Sequence, residues 1–308
     1  MGQPRQVQTG LVSIIFSFRN EEEVIPEMVR QITDAMRDIA QPHELVFVND
    51  ASTDRSLEVL LKLRESHPKI RIVNMSRRFG PSEGVLAGLE NCSGEAAIYM
   101  DVDLQDPPSV CKLLIEKWRA GADVVHTVRR RRLGETRTKL ALTHLAYRFI
   151  SFGSEIQLLD NAGDFKLISR RVIDEILKLP ECDPYLRGLV TWVGFKQAVV
   201  EYERQPRAAG VSKFPLWQRG PWKMFVTGLT SHSFLPIYVV FAFSLLGIFA
   251  GPFVLLAVAL EALPPMAVLY YVMWLMLMFS QSAVGVYAIR AYKDSRRRPR
   301  WIISNVIG

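Results

Sequence analysis

Ala96-Ala97-Ile98-Tyr99-Met100-Asp101-Val102-Asp103-Leu104-Gln105-Asp106-Pro107-Pro108 is the stretch whose reading decides the fold. Its apolar first half reads as a buried strand, and the prolines after the aspartates stop the strand from continuing. In extended backbone, side chains at i and i+2 leave on the same side with Cα atoms about 6.6 Å apart, so Asp101 and Asp103 can converge on one divalent cation. Open α/β sheets hold their ligands at the carboxyl ends of strands, where this pair lies. Mg2+ or Mn2+ held by one or two carboxylates takes further ligands from water and from phosphate oxygens, so a phosphorylated small molecule is the expected partner. An isolated Asp-x-Asp is commonly a solvated acidic turn; its place at a strand end, with Gln105 and Asp106 following, favours the site.

Working outward toward the N-terminus, Leu11 to Phe18 reads as a first strand, and Arg19-Asn20-Glu21-Glu22-Glu23 turns it into a helix through about Ile39. Glutamates in a first helical turn suit the positive end of the helix dipole. Glu44 to Val48 is a second strand; Asn49-Asp50-Ala51-Ser52-Thr53-Asp54 ends it and caps a helix to about Glu65. Ile70 to Asn74 and Ser82 to Asn91 supply a third strand and helix. Strands alternating with helices predict parallel pairing through right-handed crossovers, hence a doubly wound α/β sheet. That topology gathers Asn20, Asp50, Arg77, Arg78, Asp101 and Asp103 along one edge. Capping explains Ser52 and Asp54. A site for a metal diphosphate explains why acidic ligands and arginines share the edge.

Toward the C-terminus the chain changes character. It holds 308 residues, 49% of them hydrophobic, with a net charge of +7. Between Lys223 and Arg290, Glu261 is the only formally charged residue. Phe234 to Leu260 and Met266 to Ile289 would each form a helix of roughly 35–40 Å, enough to cross a hydrocarbon layer of about 30 Å. Glu261, Pro264 and Pro265 connect these two expected transmembrane helices. Arg219 and Lys223 precede the first; Arg290, Lys293, Arg296, Arg297, Arg298 and Arg300 follow the second. Positive flanks stay inside, which places both termini and the catalytic region in the cytoplasm of a multi-pass protein of the cell's inner membrane. Lys213, Arg219 and Lys223 interleave with Phe214, Trp217, Trp222 and Phe225, as an interfacial helix would.

The basic balance fits an anionic leaflet. No nucleic-acid motif accompanies it, so nucleic acid is not an expected partner. Cys92, Cys111 and Cys182 suit reduced cytoplasmic thiols, and Met1 to Gly10 is too polar for a signal peptide. Gly247, Gly251 and Gly285 would permit close packing of membrane helices in a homo-oligomer.

Ser17-Phe18-Arg19-Asn20-Glu21, Asn49-Asp50-Ala51-Ser52, Ser76-Arg77-Arg78-Phe79-Gly80 and the Asp101 to Pro108 run together resemble the family-2 glycosyltransferases. More narrowly they resemble the polyprenyl-phosphate glycosyltransferases, the group of bactoprenol glucosyltransferase and dolichyl-phosphate mannose synthase. Asn161 to Leu167, Arg187 to Phe195 and Arg207 to Lys213 fit the same group, so the resemblance covers nearly the full chain. It implies a nucleotide-diphospho-sugar transferase (GT-A) domain over residues 1–210, an interfacial segment at 211–233, a two-helix membrane hairpin at 234–290 and a basic tail at 291–308. It further implies that Asp101, Asp103 and Gln105 hold Mg2+ or Mn2+ and the donor diphosphate. Asp50, with Asn20, Glu21 and Asn49, would contact the nucleoside. Arg78, Arg129, Arg132 and Lys213 would face phosphates. Asp164 would sit close to sugar and acceptor, acting with Asp103 in catalysis; from its spacing alone it reads equally well as a turn or helix-start aspartate.

The implied reaction is inverting transfer of a sugar from a nucleotide sugar, a UDP-sugar ahead of a GDP- or dTDP-sugar, to polyprenyl phosphate such as undecaprenyl phosphate. The family commonly has Pro-x-Tyr-Asn-Glu and Asp-Asp-Gly-Ser at the first two strand ends. Ser17, Arg19, Asn49 and Ala51 depart from those patterns, all within the expected nucleoside pocket. A processive polysaccharide synthase would carry Gln-x-x-Arg-Trp, which Gln218-Arg219-Gly220-Pro221-Trp222 does not match. A catalytically silent membrane scaffold on the same fold is the reading of a different class.

Overall fold

A computed structural model describes residues 8–129, 162–181, 183–204 and 265–308, with scattered helical positions between 226 and 260. The interfacial segment at 211–233 and the first expected span lie largely outside the described residues, as do Arg132 and Lys213.

The first half folds as its alternation predicts. Strand β1 (Gln8–Phe18), helix α1 (Ile25–Ile39), β2 (His43–Asn49), α2 (Ser56–Ser66), β3 (Ile70–Met75), α3 (Pro81–Glu90) and β4 (Gly94–Met100) follow in order, with β1 paired in parallel to both β2 and β4. Helix α4 (Cys111–Arg119) leads to β5 (Val124–Arg129). After β6 (Ala162–Ser169) come α5 (Arg170–Lys178), α6 (Leu186–Trp192) and β7 (Gln197–Tyr202). Helix α7 (Pro265–Ser295) and β8 (Ile303–Ile307) close the chain.

Helices cover both faces of the sheet, which therefore buries continuous apolar runs rather than alternating ones. Against one face α1 sets Ile25, Met28, Val29, Ile32 and Met36, at the spacing of a single helical stripe, beside Phe16, Phe47 and Ile98. Against the other, α3 lies unusually close. A Cβ on Gly84 would stand 2.1 Å from Ser17 Oγ, and one on Gly88 would stand 2.4 Å from Ile15 Cγ2. Only glycine at both positions lets α3 rest on the end of β1.

The sheet is mixed, and this corrects the expectation of wholly parallel pairing. Its order is β7-β5-β6-β4-β1-β2-β3-β8, with β6 antiparallel to β4 and β5, and β8 antiparallel to β3. In β6, Asp164 and Lys166 alternate with Phe165 and Leu167, a period-2 signal of a strand. Those polar residues disguise it as a turn. The reading of Asp164 as a helix-start or turn aspartate is therefore overturned, because Asp164 lies inside β6.

The C-terminal stretch from 291 is not simply a basic tail. Helix α7 runs through Ser295 and is long and apolar enough to cross a membrane. Beyond it β8 joins the sheet, with Ile307 opposite Ile72 and Ile303 opposite Met75. Ser76 N donates to Ile302 O at 2.9 Å, and Trp301 Nε1 donates to Glu90 Oε2 at 2.8 Å. Because β8 is antiparallel, its first residue stands at the edge where β1 to β4 end. The apolar helix thus connects to the domain at the ligand edge. Lys293 pairs with Asp183 at 2.6 Å and Arg290 with Glu181 at 3.3 Å, joining the end of α7 to the loop before α6.

Deleting residues 303–308 should strip one ladder from β3 and lower the melting temperature of the detergent-solubilised protein by about 5–10 °C, roughly 2–4 kcal/mol. An unchanged melting curve would show that β8 adds nothing to the sheet.

Candidate active site

Strand β4 stops at Met100, so the extended geometry expected for Asp101 and Asp103 does not hold; the chain bends through Val102 to Leu104. Leu104 turns the loop with φ 59°, a left-handed conformation that costs a side-chain-bearing residue about 1–2 kcal/mol. Asp103 Oδ1 accepts the Gln105 amide at 3.2 Å and so holds the bend. The two aspartates nonetheless remain electrostatic neighbours. Part of Asp101 faces solvent, yet protein atoms crowd the region around its carboxyl. Desolvation by the surrounding protein, and then the charges of Asp164, Asp103 and Asp106, push its carboxyl up to about 7 against the pull of Arg204.

The sheet register explains why Asp164 belongs to this group. Along β4 and β6, Tyr99 faces Lys166 and Ile98 faces Leu167. Beyond that last pair Asp164 lies two residues along β6 on the side where Asp101 follows β4, and its charge acts on Asp101. Arg187, from the first turn of α6, meets Asp164 with a two-pronged fork: Nε donates to Oδ1 at 2.6 Å while Nη2 donates to Oδ2. Desolvation raises the Asp164 carboxyl, but Arg187, by charge and hydrogen bonds, and then Lys166 and Arg129 outweigh it and hold the group at about 2. Lys166 is fully buried, and its ammonium is brought down to about 8 by desolvation, which Asp164 opposes.

A second cluster borders the Asp101–Asp106 loop. Asp106 is buried; its Oδ1 accepts the Tyr202 hydroxyl and, at 3.3 Å, the Nε of Arg204. Arg129, at the end of β5, donates from Nε to the Tyr202 oxygen at 3.3 Å. Arg204 Nη2 lies 4.0 Å from Asp103 Oδ2. Of these residues Asp103 and Arg129 are the ones the sequence marked as site residues, and Asp106 stood in the same run as Asp103. Arg187, Tyr202 and Arg204 come from elements distant in sequence, and no local pattern around them signals the contacts.

At the far end of the edge the selected residues brace one loop against the next. Asn20, with φ 55°, accepts the Thr53 amide at 2.8 Å, and its own amide nitrogen donates to Ser52 Oγ at 3.1 Å. The Glu21 amide donates to Ser56 Oγ at 2.9 Å. Asn49 is buried, donates to Asn74 Oδ1 at 3.0 Å and accepts the Ser52 amide at 2.9 Å. Asp50, also buried, takes the amides of Phe79 and Gly80 at 2.6 and 3.1 Å. The carboxylate expected to read a nucleoside therefore clamps the loop after β3. Arg78 on that loop is exposed, and the guanidinium of neighbouring Arg77 covers the Phe79 ring at 3.9 Å. Ala51 adopts φ 52°, a conformation that glycine takes without strain.

Among the described residues no three His, Cys, Asp or Glu side chains form a ready-made metal cluster. The chemistry of the donor set nevertheless fits a hard divalent cation. Asp101 and Asp103 offer carboxylate oxygens beside Gln105, and Asp164 and Asp106 add negative charge nearby. Such a cation takes its remaining ligands from water or phosphate, as a two-carboxylate site requires.

Comparison with known proteins identifies the family of the chain. The profile of glycosyl transferase family 2 matches residues 13–177. The uncharacterized glycosyltransferase YkcC of Bacillus subtilis is 36% identical over 306 residues, covering 96% of this chain and 94% of that protein. A bactoprenol glucosyl transferase of Shigella phage SfV is 33% identical over 306 residues, covering 96% and 98% of the respective chains. Among solved structures, the mannosyltransferase PcManGT of Pyrobaculum calidifontis, in complex with GDP-Man and Mn2+, is 16% identical, with 94% of this chain and 88% of that chain covered and a TM-score of 0.49. The family profile spans the strands that carry Asp50, Asp101, Asp103 and Asp164, and the bactoprenol enzyme aligns over nearly its whole length: the chain belongs to glycosyl transferase family 2 and is a glycosyltransferase.

Proposed function

We propose that this chain transfers a sugar, with inversion at the anomeric carbon, from a nucleotide sugar to polyprenyl phosphate at a membrane surface. The observation that carries the reading is the edge itself. Asp101, Asp103 and the Asp164–Arg187 fork share the end of the sheet at which the apolar helix α7 joins the domain through β8. An acceptor whose phosphate lies at a lipid surface would meet the donor there. Relatives named bactoprenol glucosyl transferases support a polyprenyl acceptor. A uridine nucleotide is the donor class we favour. The second membrane helix, and the placement of residues 1–210 and of both termini in the cytoplasm, belong to the same proposal.

In the proposed reaction an acceptor phosphate oxygen bonds to the anomeric carbon while the bond from that carbon to the diphosphate breaks, releasing nucleoside diphosphate. Mg2+ or Mn2+, when bound by Asp101, Asp103 and Gln105, supplies neutralising charge for the leaving diphosphate. Arg129 and Arg204 add fixed positive charge at the same edge. A phosphate monoester has a second pKa near ~6, so the nucleophile is largely ionised at neutral pH and requires no strong base. Asp164 suits that chemistry. A carboxylate held at about 2 by Arg187 is a weak base and serves by orienting what approaches it.

Purified protein should release nucleoside diphosphate from a nucleotide sugar only when polyprenyl phosphate and Mg2+ or Mn2+ are both present, and chelation should abolish the release. Asp103→Ala should lower the rate by about a thousandfold, as loss of a group stabilising charge in the transition state does. Release that ignores the lipid would point to another acceptor.

Asp164→Asn should cost at least roughly a hundredfold in kcat while nucleotide binding persists, on the scale of a lost positioning contact. Because its folded pKa is depressed, the ion pair with Arg187 contributes fully above the unfolded carboxylate range and is lost only as pH falls toward about 2. The wild-type rate between pH 5 and 9 should therefore show no inflection from Asp164. Recovery of the Asn variant at high pH would overturn the orienting role.

A further inference from the structure

We infer that Asp106 is a positioning residue: from within the protein it aims the guanidiniums of Arg129 and Arg204 at the diphosphate of the donor. The inference rests on the nucleotide-sugar reading above and extends it to Asp106 and Tyr202.

Asp106 is 1% exposed, so it cannot itself touch a substrate. Its contacts all lead outward. One oxygen takes the Tyr202 hydroxyl, whose own oxygen takes the Nε–H of Arg129; the same oxygen takes the Nε–H of Arg204. Asp106 therefore joins an arginine at the end of β5 to one just past the end of β7, two strands that run parallel and side by side. Each arginine is turned toward the reacting edge. Arg204 Nη2 stands 4.0 Å from Asp103 Oδ2, and the charge of Arg129 is felt at Asp164. Arg129 is seated closely as well: a Cβ on Gly163 would come within 2.9 Å of its Nη2.

Stability alone gives little reason for this cluster. Replacing a buried ion pair with well-packed apolar groups is often neutral or stabilising, because desolvation offsets the attraction. Holding two cations rigidly where negative charge develops is a better reason for a carboxylate in that place, since preorganised charges need not reorganise during the reaction. Tyr202 is suited to relay the constraint. Burial and the charge of Asp106 push its phenol up to about 12, so it keeps its proton and donates it to the carboxylate.

The test is calorimetric binding of uridine diphosphate and of uridine monophosphate, with guanosine nucleotides in parallel, to the full-length protein in detergent with Mn2+. Asp106→Asn should weaken diphosphate binding about tenfold, near 1.4 kcal/mol, and monophosphate binding by less than about twofold. Tyr202→Phe, which removes one hydroxyl, should weaken diphosphate binding about threefold in the same selective manner. Gly163→Ala, which displaces Arg129 without touching Asp106, should do likewise. The two milder variants decide the matter if Asp106→Asn does not fold. Unchanged diphosphate affinity in folded variants, or equal loss for both nucleotides, overturns the positioning role. A wild-type protein that binds no nucleoside diphosphate at all overturns the donor reading, and this inference with it.

Discussion

Repulsion among carboxylates at one edge of the sheet is the constraint on which the rest of this structure depends. Asp101, Asp103, Asp106 and Asp164 are close enough that the last three add to desolvation in raising the proton affinity of the first. Like charges drawn together in a partly desolvated place are costly unless cations are supplied. The fold answers with arginines from separate elements. Arg187 reaches Asp164 from α6, Arg204 reaches Asp106 from beyond β7, and Arg129 approaches through Tyr202 from β5. Arg204 also stands 4.0 Å from Asp103, so this one guanidinium serves two of the four carboxylates.

Supporting that edge requires a rigid platform, and the first four strands supply it. Their helices cover both faces, and α3 packs so closely on β1 that Gly84 and Gly88 admit no side chain. The loops at the strand ends are then cross-braced: Asn20 to the Ser52–Thr53 turn, Asn49 to Asn74, and Asp50 to the amides of Phe79 and Gly80. Left-handed residues sit in three of these edge loops, at Asn20, Ala51 and Leu104. Strain of that kind persists where the surroundings over-determine the backbone, as they do here. Geometry at the edge is therefore set by many small contacts rather than by the side chains that would meet a substrate.

The connection of α7 to this platform ties an apolar helix to a catalytic domain by more than a linker. The helix ends on ion pairs with Glu181 and Asp183, and its continuation becomes a strand of the same sheet. Exposed ion pairs contribute little individually. The strand contributes more, because each of its backbone groups that bonds to β3 also protects that edge from pairing elsewhere. A domain anchored in this way keeps a fixed aspect toward whatever surface α7 enters.

Local pattern determined much of this by itself. Alternating apolar strands and helices made β1 to β4 legible, and polar residues at strand ends marked the edge, because burial and backbone geometry act over a few neighbouring residues. Asp101 and Asp103 stood out for the same reason. Tertiary structure decided the rest. Strand β6 inserts antiparallel between β4 and β5, and only that pairing brings Asp164 to the end of the sheet at which Asp101 lies. Asp50 also clamps a loop, because Phe79 and Gly80 fold back onto it. Ile303 to Ile307 became a strand because β3 offered an open edge. Arg187, Tyr202 and Arg204 acquired roles because carboxylates far away in sequence needed partners. Charge compensation is a property of distance in space, and a chain read residue by residue does not carry it.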